Sequence, residues 1–323
     1  MAIQKNIVFQ ILLVALVLNI VNGSGLKLGF YQKTCPRAED IVYATTAKYI
    51  HSAPPLAASL LRMHFHDCFV RGCDGSILLN STATSKAEKD GPPNLSLRGF
   101  QVVDAVKAAI EAECPGVVSC ADVLALVARD AIHQIRGPFW PVPLGRRDGR
   151  VSLLADSFTL PPPFANITVL KAKFASKGLS VKDLVVLSGS HTVGVSHCST
   201  IATRLYNFTG KGDTDPSLDP TYVPQLKKIC SPTDQTTLLA MDSTVRKFDT
   251  NYYKGVSKHR GLFQSDAALL NDNQTSAYVK FQSTTHGYYS FFKDFGVSMV
   301  KMGKIGVLTG ADSEIRKTCA FVN

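Results

Sequence analysis

The chain has 323 residues, of which 45% are apolar and 19% are charged, and its formal net charge is +10. This composition permits a large buried core and excludes both a disordered chain and a long coiled coil. The basic balance favours anionic surroundings such as an acidic polysaccharide, whereas the lack of a dense Lys/Arg cluster argues against nucleic acid as a partner.

The amino-terminal segment has the layout of a secretory signal peptide. Lys5 supplies a positive charge near the start, an apolar run follows at 7–18, and small residues suited to cleavage end the segment. The run is shorter than an ordinary membrane span, although a membrane anchor is the alternative. We therefore predict a signal peptide at 1–23 and one domain at 24–323, without a membrane span, that is secreted to the extracellular space or cell wall.

Apolar residues at helical spacing follow along most of the remaining chain. Capping boxes at Ser119 to Asp122 and at Ser180 to Asp183 predict the starts of two helices. Strand signals are scarce, so we predict a mostly α domain with very little β and a site between helices. The predicted helices lie at 36–51, 55–69, 98–113, 120–132, 166–177, 181–187, 197–206, 249–258, 274–282 and 285–302, and the main loops at 80–97, 136–165, 207–220 and 306–314.

All eight cysteines lie beyond the signal segment. An even number of cysteines in a secreted chain indicates a disulfide framework, but the count alone does not assign the pairs. Asn-x-Ser/Thr sequons agree with secretion and predict a glycoprotein. These sequons begin at Asn80, Asn94, Asn166, Asn207 and Asn273.

The helix predicted at 55–69 carries the first candidate chemistry. Arg62 and His66 are four residues apart and therefore share a helix face. An imidazole can accept a proton near neutral pH, and a guanidinium beside it can stabilise developing negative charge. A surface arginine beside a helical histidine is the alternative, and the run from His64 to His66 is also compatible with half of a zinc site.

A glycine-rich turn follows directly and places Cys68 and Cys73 five residues apart. The side-chain oxygens of Asp67, Asp74 and Ser76, together with exposed carbonyls, would suit a hard cation such as calcium. A disulfide-closed turn with solvated acidic residues is the alternative.

The pattern Arg-x-x-Phe-His-Asp-Cys followed by Gly-Cys-Asp-Gly-Ser resembles the distal helix of plant secretory (class III) peroxidases. The resemblance implies that Arg62, Phe65 and His66 form a distal haem pocket and that Asn94, in a loop similar to the family's support loop, accepts the N–H of His66. A pocket-facing Asn94 cannot carry a glycan, so we expect its sequon to be unused. The first calcium ion would then be bound by Asp67, Val70, Gly72, Asp74 and Ser76.

His191 is the candidate ligand for a haem iron, which in such proteins is held by a histidine. It ends an apolar helical segment, and its small neighbours at 188–190 and Gly194 would let a flat macrocycle approach. A helix-terminal histidine without a metal is the alternative. The segment resembles the family's proximal motif, which implies that His191 binds the iron of haem b and that Asp266, in Gly-Leu-Phe-Gln-Ser-Asp, accepts its other N–H; a turn aspartate is the alternative for Asp266.

The same resemblance implies a second calcium site and a donor-binding edge. Val245 stands where many family members have proline, which is a departure from the pattern. Pro161 matches the proline that borders the donor-binding edge, although it would equally serve as a rigid loop residue. The residues of the second site would be Thr192, Asp242, Thr244, Asp249 and, through its carbonyl, Lys247.

The resemblance extends from Phe30-Tyr31 to Cys319. It implies a monomeric secreted peroxidase that contains haem b and two calcium ions, reduces hydrogen peroxide to water and oxidises phenolic donors in one-electron steps. Lignin or suberin formation, wall cross-linking and the response to oxidative stress are the roles that the family suggests. The implied disulfide bonds are Cys35–Cys114, Cys68–Cys73, Cys120–Cys319 and Cys198–Cys230.

Three other functions compete with this interpretation. A haem-binding protein without turnover would fit the basic charge and the glycan sites, but the presence of Arg62, His66 and Asn94 together argues against it. An intracellular peroxidase of the ascorbate-using class is opposed by the signal segment and the cysteines. A secreted protein without haem is the third alternative.

Overall fold

The computed structural model describes residues 25–323, so the signal peptide predicted at 1–23 lies outside the described residues. The described part of the chain is mostly helical, as predicted, and none of its helices is long and apolar enough to cross a membrane. The α-helices in chain order are α1 Ala38–Ser52, α2 Leu56–Val70, α3 Phe100–Glu113, α4 Cys120–Gln134, α5 Ile167–Ser176, α6 Val181–Ser188, α7 Cys198–Tyr206, α8 Val223–Ile229, α9 Asn251–Ser257, α10 Gln264–Ala268, α11 Asn273–Gln282 and α12 Gly287–Met302.

Short elements complete the fold. Strand β1 (Val195–His197) pairs antiparallel with β2 (Leu238–Ala240), with Val195 opposite Ala240. The 3-10 turns are Ser76–Leu78, Glu88–Asp90, Leu154–Thr159 and Gly189–Thr192. Helices α8 and α10 lie where the sequence predicted no helix, and they are short, with 7 and 5 residues.

Helix α4 is the centre of the amino-terminal half. It packs against α1 and α2, and α1 also packs against α3. Residues 120–132 of α4 are all buried, since Ala, Val and Leu occupy every side of the helix rather than one stripe. This packing holds α2 in place and thereby fixes the direction of the face that carries Arg62 and His66.

The capping box predicted at Ser119 is only half formed. The Ser119 side chain accepts the backbone N–H of Asp122 at 3.1 Å, as expected of an N-cap. The Asp122 carboxylate does not return the bond, because it accepts hydrogen bonds from Arg146 Nη1 at 2.7 Å, Gly145 N at 2.7 Å and Tyr31 Oη at 2.8 Å. The prediction of a reciprocal box was therefore wrong here, and the aspartate ties α4 to two distant segments instead.

The second predicted capping box is complete and positions the carboxyl-terminal half of the site. Ser180 and Asp183 exchange side-chain to backbone hydrogen bonds of 3.1 and 2.9 Å at the start of α6. Helix α6 then packs against α5, α11 and α12 and ends at Ser188, directly before the 3-10 turn that carries His191.

The eight cysteines form four disulfide bonds, in the pairing that the family resemblance implied. The Cys120–Cys319 bond joins the start of α4 to the carboxyl terminus across a sequence separation of 199 residues. Bonds that close long loops restrict the unfolded chain most in the chain-entropy model. The other three are Cys35–Cys114, Cys68–Cys73 and Cys198–Cys230.

Candidate functional site

One face of α2 is left uncovered by the core. Leu61, Met63 and His64 are buried, whereas Arg62 and Phe65 keep partial exposure although they lie in the same turns. The 3.6-residue period of the helix explains this difference, since residues three and four positions apart share one face. The structure therefore places Arg62 and Phe65 on the side of α2 that faces away from α4, with His66 beside them.

His66 is held between two partners in one defined protonation state. Its Nδ1 lies 2.5 Å from Asn94 Oδ1, and its Nε2 accepts a hydrogen bond from Arg62 Nε at 3.1 Å. Because the amide oxygen only accepts and the guanidinium only donates, Nδ1 carries the proton and Nε2 carries the lone pair. Burial, with the charge of Arg62, lowers the pKa of His66 to about 3, so the imidazole is neutral at physiological pH. The family resemblance implied the contact with Asn94, and the structure adds that Arg62 occupies Nε2.

Arg62 is anchored by a loop that sequence analysis did not connect with it. Its Nη2 donates to the Pro93 carbonyl at 2.7 Å and its Nη1 to Ser96 Oγ at 2.8 Å. Burial lowers the pKa of Arg62 to about 10, which still leaves the guanidinium charged at neutral pH. No sequence signal indicates these contacts, because the partners lie 31 and 34 residues away in a loop without periodicity.

Asn94 is buried, with only 1% of its surface exposed. Besides its contact with His66, its Nδ2 donates to the Glu88 carbonyl at 2.6 Å, and its backbone N–H donates to Gly91. Both ends of the amide are therefore used. The other polar residue of its sequon, Ser96, is engaged by Arg62.

We expect the Asn94 sequon to carry no glycan in the folded, secreted protein. A glycosylated amide could not fit the buried position or keep its two hydrogen bonds. Peptide mapping by mass spectrometry, with and without glycosidase, measures occupancy at each sequon. Asn80 and Asn207 are exposed and serve as internal controls for glycosylation by the host. A glycan on Asn94 in active protein would contradict the arrangement around His66.

The turn after α2 collects buried acidic and hydroxyl groups. Asp67 Oδ2 accepts the Gly75 N–H at 3.0 Å, and Asp74 Oδ1 accepts the Ser76 N–H at 3.0 Å. Gly72 has φ 105°, and a Cβ there would meet the Gly306 backbone at 2.5 Å, so only glycine fits this turn. Burial, together with the neighbouring Asp74, raises the pKa of Asp67 well above its usual range.

Unpartnered oxygens at this turn match a bound cation. Ser76 Oγ and both carboxylate oxygens of Glu88 are buried and have no hydrogen-bond partner among the described residues. Burial raises the pKa of Glu88 to about 8. Buried oxygens without partners are costly, and a divalent ion would satisfy them. The sequence did not indicate Glu88 as a possible ligand, because its loop was interpreted only as the support for Asn94.

The carbonyl of Val70, another expected ligand, accepts a hydrogen bond from Lys177 Nζ at 3.1 Å and retains a second lone pair.

The structure also argues against a zinc site that includes His64 next to this turn. His64, Asp67 and Cys68 bring possible ligand atoms close together. Cys68 is bonded to Cys73, however, and a disulfide sulfur does not provide the thiolate that zinc binds. The hard-oxygen set of the turn therefore remains the better candidate metal centre.

His191 presents one ring nitrogen for coordination. Its Nδ1 lies 2.8 Å from Asp266 Oδ1, while its Nε2 makes no hydrogen bond to the part of the chain that the structure describes, and 35% of the side chain is exposed. Asp266 also accepts hydrogen bonds from Tyr252 Oη at 2.9 Å and from the Phe263 N–H at 2.9 Å. Burial would raise the pKa of Asp266, but the charge of His191 and these hydrogen bonds together lower it. An oriented imidazole with a free Nε2 fits an axial ligand to haem iron.

The residues expected around Thr192 also come together. Thr192 Oγ1 donates to Asp242 Oδ2 at 2.8 Å and lies 3.3 Å from Asp249 Oδ1, while Thr244 Oγ1 lies 3.2 Å from Asp249 Oδ1. Burial raises the pKa of Asp242. The Lys247 ammonium lies 3.9 Å from Asp249 Oδ2. Two carboxylates and two hydroxyls in contact form an oxygen-rich set suited to calcium.

Pro161 lies in a loop that is tied to the His191 region. Pro161 is half-buried, and in the chain it lies between the turn Leu154–Thr159 and α5. The carbonyl of Pro163 accepts the Ser265 N–H at 2.9 Å, next to Asp266. The proline loop therefore borders the segment that orients His191.

Comparison with known proteins agrees with the motifs. The sequence model of the peroxidase family matches residues 42–284. Peroxidase 27 of Arabidopsis thaliana is 57% identical over 324 residues, which cover 100% of both chains. Peroxidase 1 of the same plant is 55% identical over 326 residues, again 100% of both chains. Peroxidase 1 of Oryza sativa subsp. japonica is 53% identical over 318 residues, or 97% of each chain.

Proposed function

The chain belongs to the class III plant peroxidase family, and on that premise we propose that it reduces hydrogen peroxide with His66 and Arg62, opposite a haem b whose iron is bound by His191. The chain is thus a peroxidase that acts on hydrogen peroxide and an electron donor, and its family implies a haem cofactor. The observation that carries the assignment of residues is the Asn94–His66–Arg62 arrangement, which leaves the imidazole neutral with its lone pair on Nε2.

His66 moves the proton in this proposal. Nε2 takes a proton from one peroxide oxygen and returns it to the other, departing oxygen, so that water leaves. Asn94 keeps Nδ1 protonated throughout, which directs the basic lone pair toward the substrate. Peroxide replaces the Arg62 Nε–H as the partner of Nε2 when it enters between the two side chains.

Arg62 stabilises the charge that develops as the O–O bond lengthens. Its position is fixed in advance by Pro93 and Ser96, so little reorganisation accompanies the reaction. A bound haem would supply the redox chemistry, and His191, with the carboxylate of Asp266 behind it, would make the ligand field more electron-donating.

We further propose two calcium sites, one in the turn after α2 and one around Thr192. The unpartnered oxygens of Ser76 and Glu88 support the first, with Asp67, Val70, Gly72 and Asp74 as the other ligands. The contacts among the residues around Thr192 support the second, in which Lys247 would contribute its carbonyl. The first site follows α2 directly and would hold the His66 face in position.

Phenols are the proposed donors, and the extracellular space or cell wall is the proposed location. Pro161 would border the exposed edge at which donors deliver single electrons. The net charge of +10 supports association with acidic wall polysaccharide. Lignin or suberin formation, wall cross-linking and the response to oxidative stress are the roles proposed for a secreted, monomeric enzyme of this kind.

The proposal is tested with purified protein loaded with haem and calcium. We expect a Soret band, peroxide-dependent oxidation of guaiacol, and a stopped-flow donor panel that ranks phenols above ascorbate. A protein with a normal Soret band but no turnover would instead be a haem-binding module. A protein that takes up no haem would refute the assignment of His191.

Removal of calcium should destabilise the protein more as the pH rises. In the fold without a bound cation the pKa of Glu88 is raised to about 8, whereas the pKa of a glutamate in the unfolded chain is about 4. A carboxyl with a higher pKa in the folded state binds more protons there, so stability falls as the pH rises through that interval. Thermal melts with and without chelator at about pH 5 and pH 8 measure the effect, and calcium should raise Tm more at the higher pH.

A Glu88→Gln variant provides the matched control for that measurement. Glutamine keeps the shape but does not titrate, so the chelated variant should show a flatter dependence of Tm on pH. If the chelated wild-type protein became more stable as the pH rose through this interval, the metal interpretation of Glu88 would be wrong.

A further inference from the structure

A row of tyrosine rings connects His191 with the protein surface. The ring centroids of His191 and Tyr252 are 5.8 Å apart, those of Tyr252 and Tyr253 are 5.1 Å apart, and those of Tyr253 and Tyr278 are 5.8 Å apart. We call Tyr252, Tyr253 and Tyr278 the tyrosine row. The first two are supplied by α9 and the third by α11, and these two helices pack together.

The inner two members of the row have no access to water. Tyr252 and Tyr253 are 2% and 0% exposed. The Tyr253 hydroxyl donates to the Val185 carbonyl at 3.0 Å, and a carbonyl is too weak a base to accept the proton of an oxidised phenol. Tyr253 can therefore pass an electron but is a poor place for a long-lived neutral radical.

Tyr278 differs from both in its contact with solvent, and like Tyr252, whose hydroxyl donates to Asp266 Oδ1, it has a carboxylate partner. It is only partly buried, and its hydroxyl donates to Asp294 Oδ2 at 2.9 Å. Asp294 is itself 21% exposed and pairs with Lys182, whose Nζ also lies 5.9 Å from the centre of the Tyr278 ring. A cation over the ring disfavours a positively charged radical and favours loss of the phenolic proton to the carboxylate. The outer end of the row thus combines contact with solvent and a proton acceptor.

We propose that Tyr278 is a second oxidation site of this enzyme, at which phenolic polymers and other phenols too large for the haem edge deliver electrons. The proposal rests on the proposed function, because the oxidant is the peroxide-oxidised haem next to His191. The row supplies the electron path, and Tyr278, as its only partly exposed member, supplies the contact with a bulky donor.

The step balances as two one-electron exchanges. Tyr278 loses one electron toward the haem through Tyr253 and Tyr252, and its O–H bond breaks as the proton passes to the Asp294 carboxylate. The resulting neutral phenoxyl takes one electron from a donor phenol and regains its proton from Asp294, while the donor releases its own phenolic proton to water, which leaves a donor phenoxyl. Two such cycles use both oxidising equivalents of one peroxide molecule.

Other exposed tyrosines lack this connection. Tyr43 is 40% exposed, and its neighbouring ring is that of His133, which leads to Phe139 rather than to His191. Tyr289 is 86% exposed, but its ring contacts reach Tyr253 only by way of Tyr288 and phenylalanine rings. Phenylalanine is much harder to oxidise than tyrosine, so it does not serve as a transiently oxidised intermediate in electron transfer.

Radical trapping tests the site without relying on turnover. The haem- and calcium-loaded protein is treated with one equivalent of peroxide, without donor, in the presence of a nitroso spin trap, and adducts are located by peptide mass spectrometry. We expect an adduct on Tyr278 that is lost in Tyr278→Phe and kept in Tyr43→Phe. Adducts on Tyr43 or Tyr289, with none on Tyr278, would overturn the proposal.

Two further measurements separate the electron path from a structural effect. Tyr253→Phe keeps the ring but removes the oxidisable phenol, so the Tyr278 adduct should be lost while guaiacol oxidation persists. Tyr278→Phe should lose oxidation of a lignin polymer and keep that of guaiacol. Unchanged polymer oxidation in Tyr278→Phe, or an unchanged Tyr278 adduct in Tyr253→Phe, would refute the row. The Soret band and guaiacol turnover of the wild-type protein test the proposed function separately.

Discussion

Replacing His66 with alanine should slow the reaction with hydrogen peroxide by about 10³- to 10⁴-fold, which is the upper range for the loss of a general acid–base group. Among the described partners of Arg62, the imidazole is the only one with a basic nitrogen, because the others are the Ser96 hydroxyl and the Pro93 carbonyl. The remaining guanidinium can stabilise charge but cannot accept a proton. Stopped-flow absorbance at the Soret band, in the absence of donor, measures the rate constant for peroxide directly.

His51→Ala is the matched control, because His51 is an exposed histidine at the end of α1. It should react with peroxide at the wild-type rate. Asn94→Ala should give a smaller loss than His66→Ala, since the imidazole stays but its tautomer is no longer fixed. Near-normal peroxide kinetics in His66→Ala, with an intact Soret band, would refute the role of His66.

Replacing His191 with alanine should remove the side chain that binds the haem iron. The protein should then lose the Soret spectrum of histidine-bound haem. The Nε2 of His191 is the coordinating atom in the proposal, and Asp266 holds the ring in place through Nδ1. Added imidazole should partly restore the spectrum, because it can occupy the space that the side chain leaves. Absorbance titration of the apoprotein with haem measures the change.

Asp266→Asn provides a graded comparison. Loss of a carboxylate behind a metal-bound histidine weakens metal affinity or activity by about 10- to 100-fold, so this variant should lie between the wild-type protein and His191→Ala. His286→Ala, on an exposed histidine before α12, should leave haem uptake unchanged. Normal haem uptake and spectrum in His191→Ala would mean that another residue binds the iron.

Several features of the site could be predicted from the sequence because they depend on short spacing. The i, i+4 separation of Arg62 and His66 places them on one face of any helix, and apolar residues recur on neighbouring turns of the helix around them. The capping box at Ser180 formed as its local pattern indicates. The mostly α fold follows from the same periodic signal, extended over the chain.

Contacts between distant segments decided the rest. Arg62 is anchored by Pro93 and Ser96, and the carboxylate of Asp122 turns away from its own cap toward Arg146. A carboxylate accepts hydrogen bonds from the donors that the fold brings near it, and a local sequence pattern does not indicate which donors these are.

The sequence by itself therefore determined that Arg62 and His66 share one face of a helix and that His191 follows an apolar helix, because helical period and local caps are properties of neighbouring residues. Only the tertiary structure decided that Nε2 of His66 carries the lone pair, that the buried carboxylate of Glu88 has no hydrogen-bond partner among the described residues, and that tyrosines from α9 and α11 line up behind His191. These three features arise from packing and burial, which bring together groups that are far apart in the chain and set the charge each can hold.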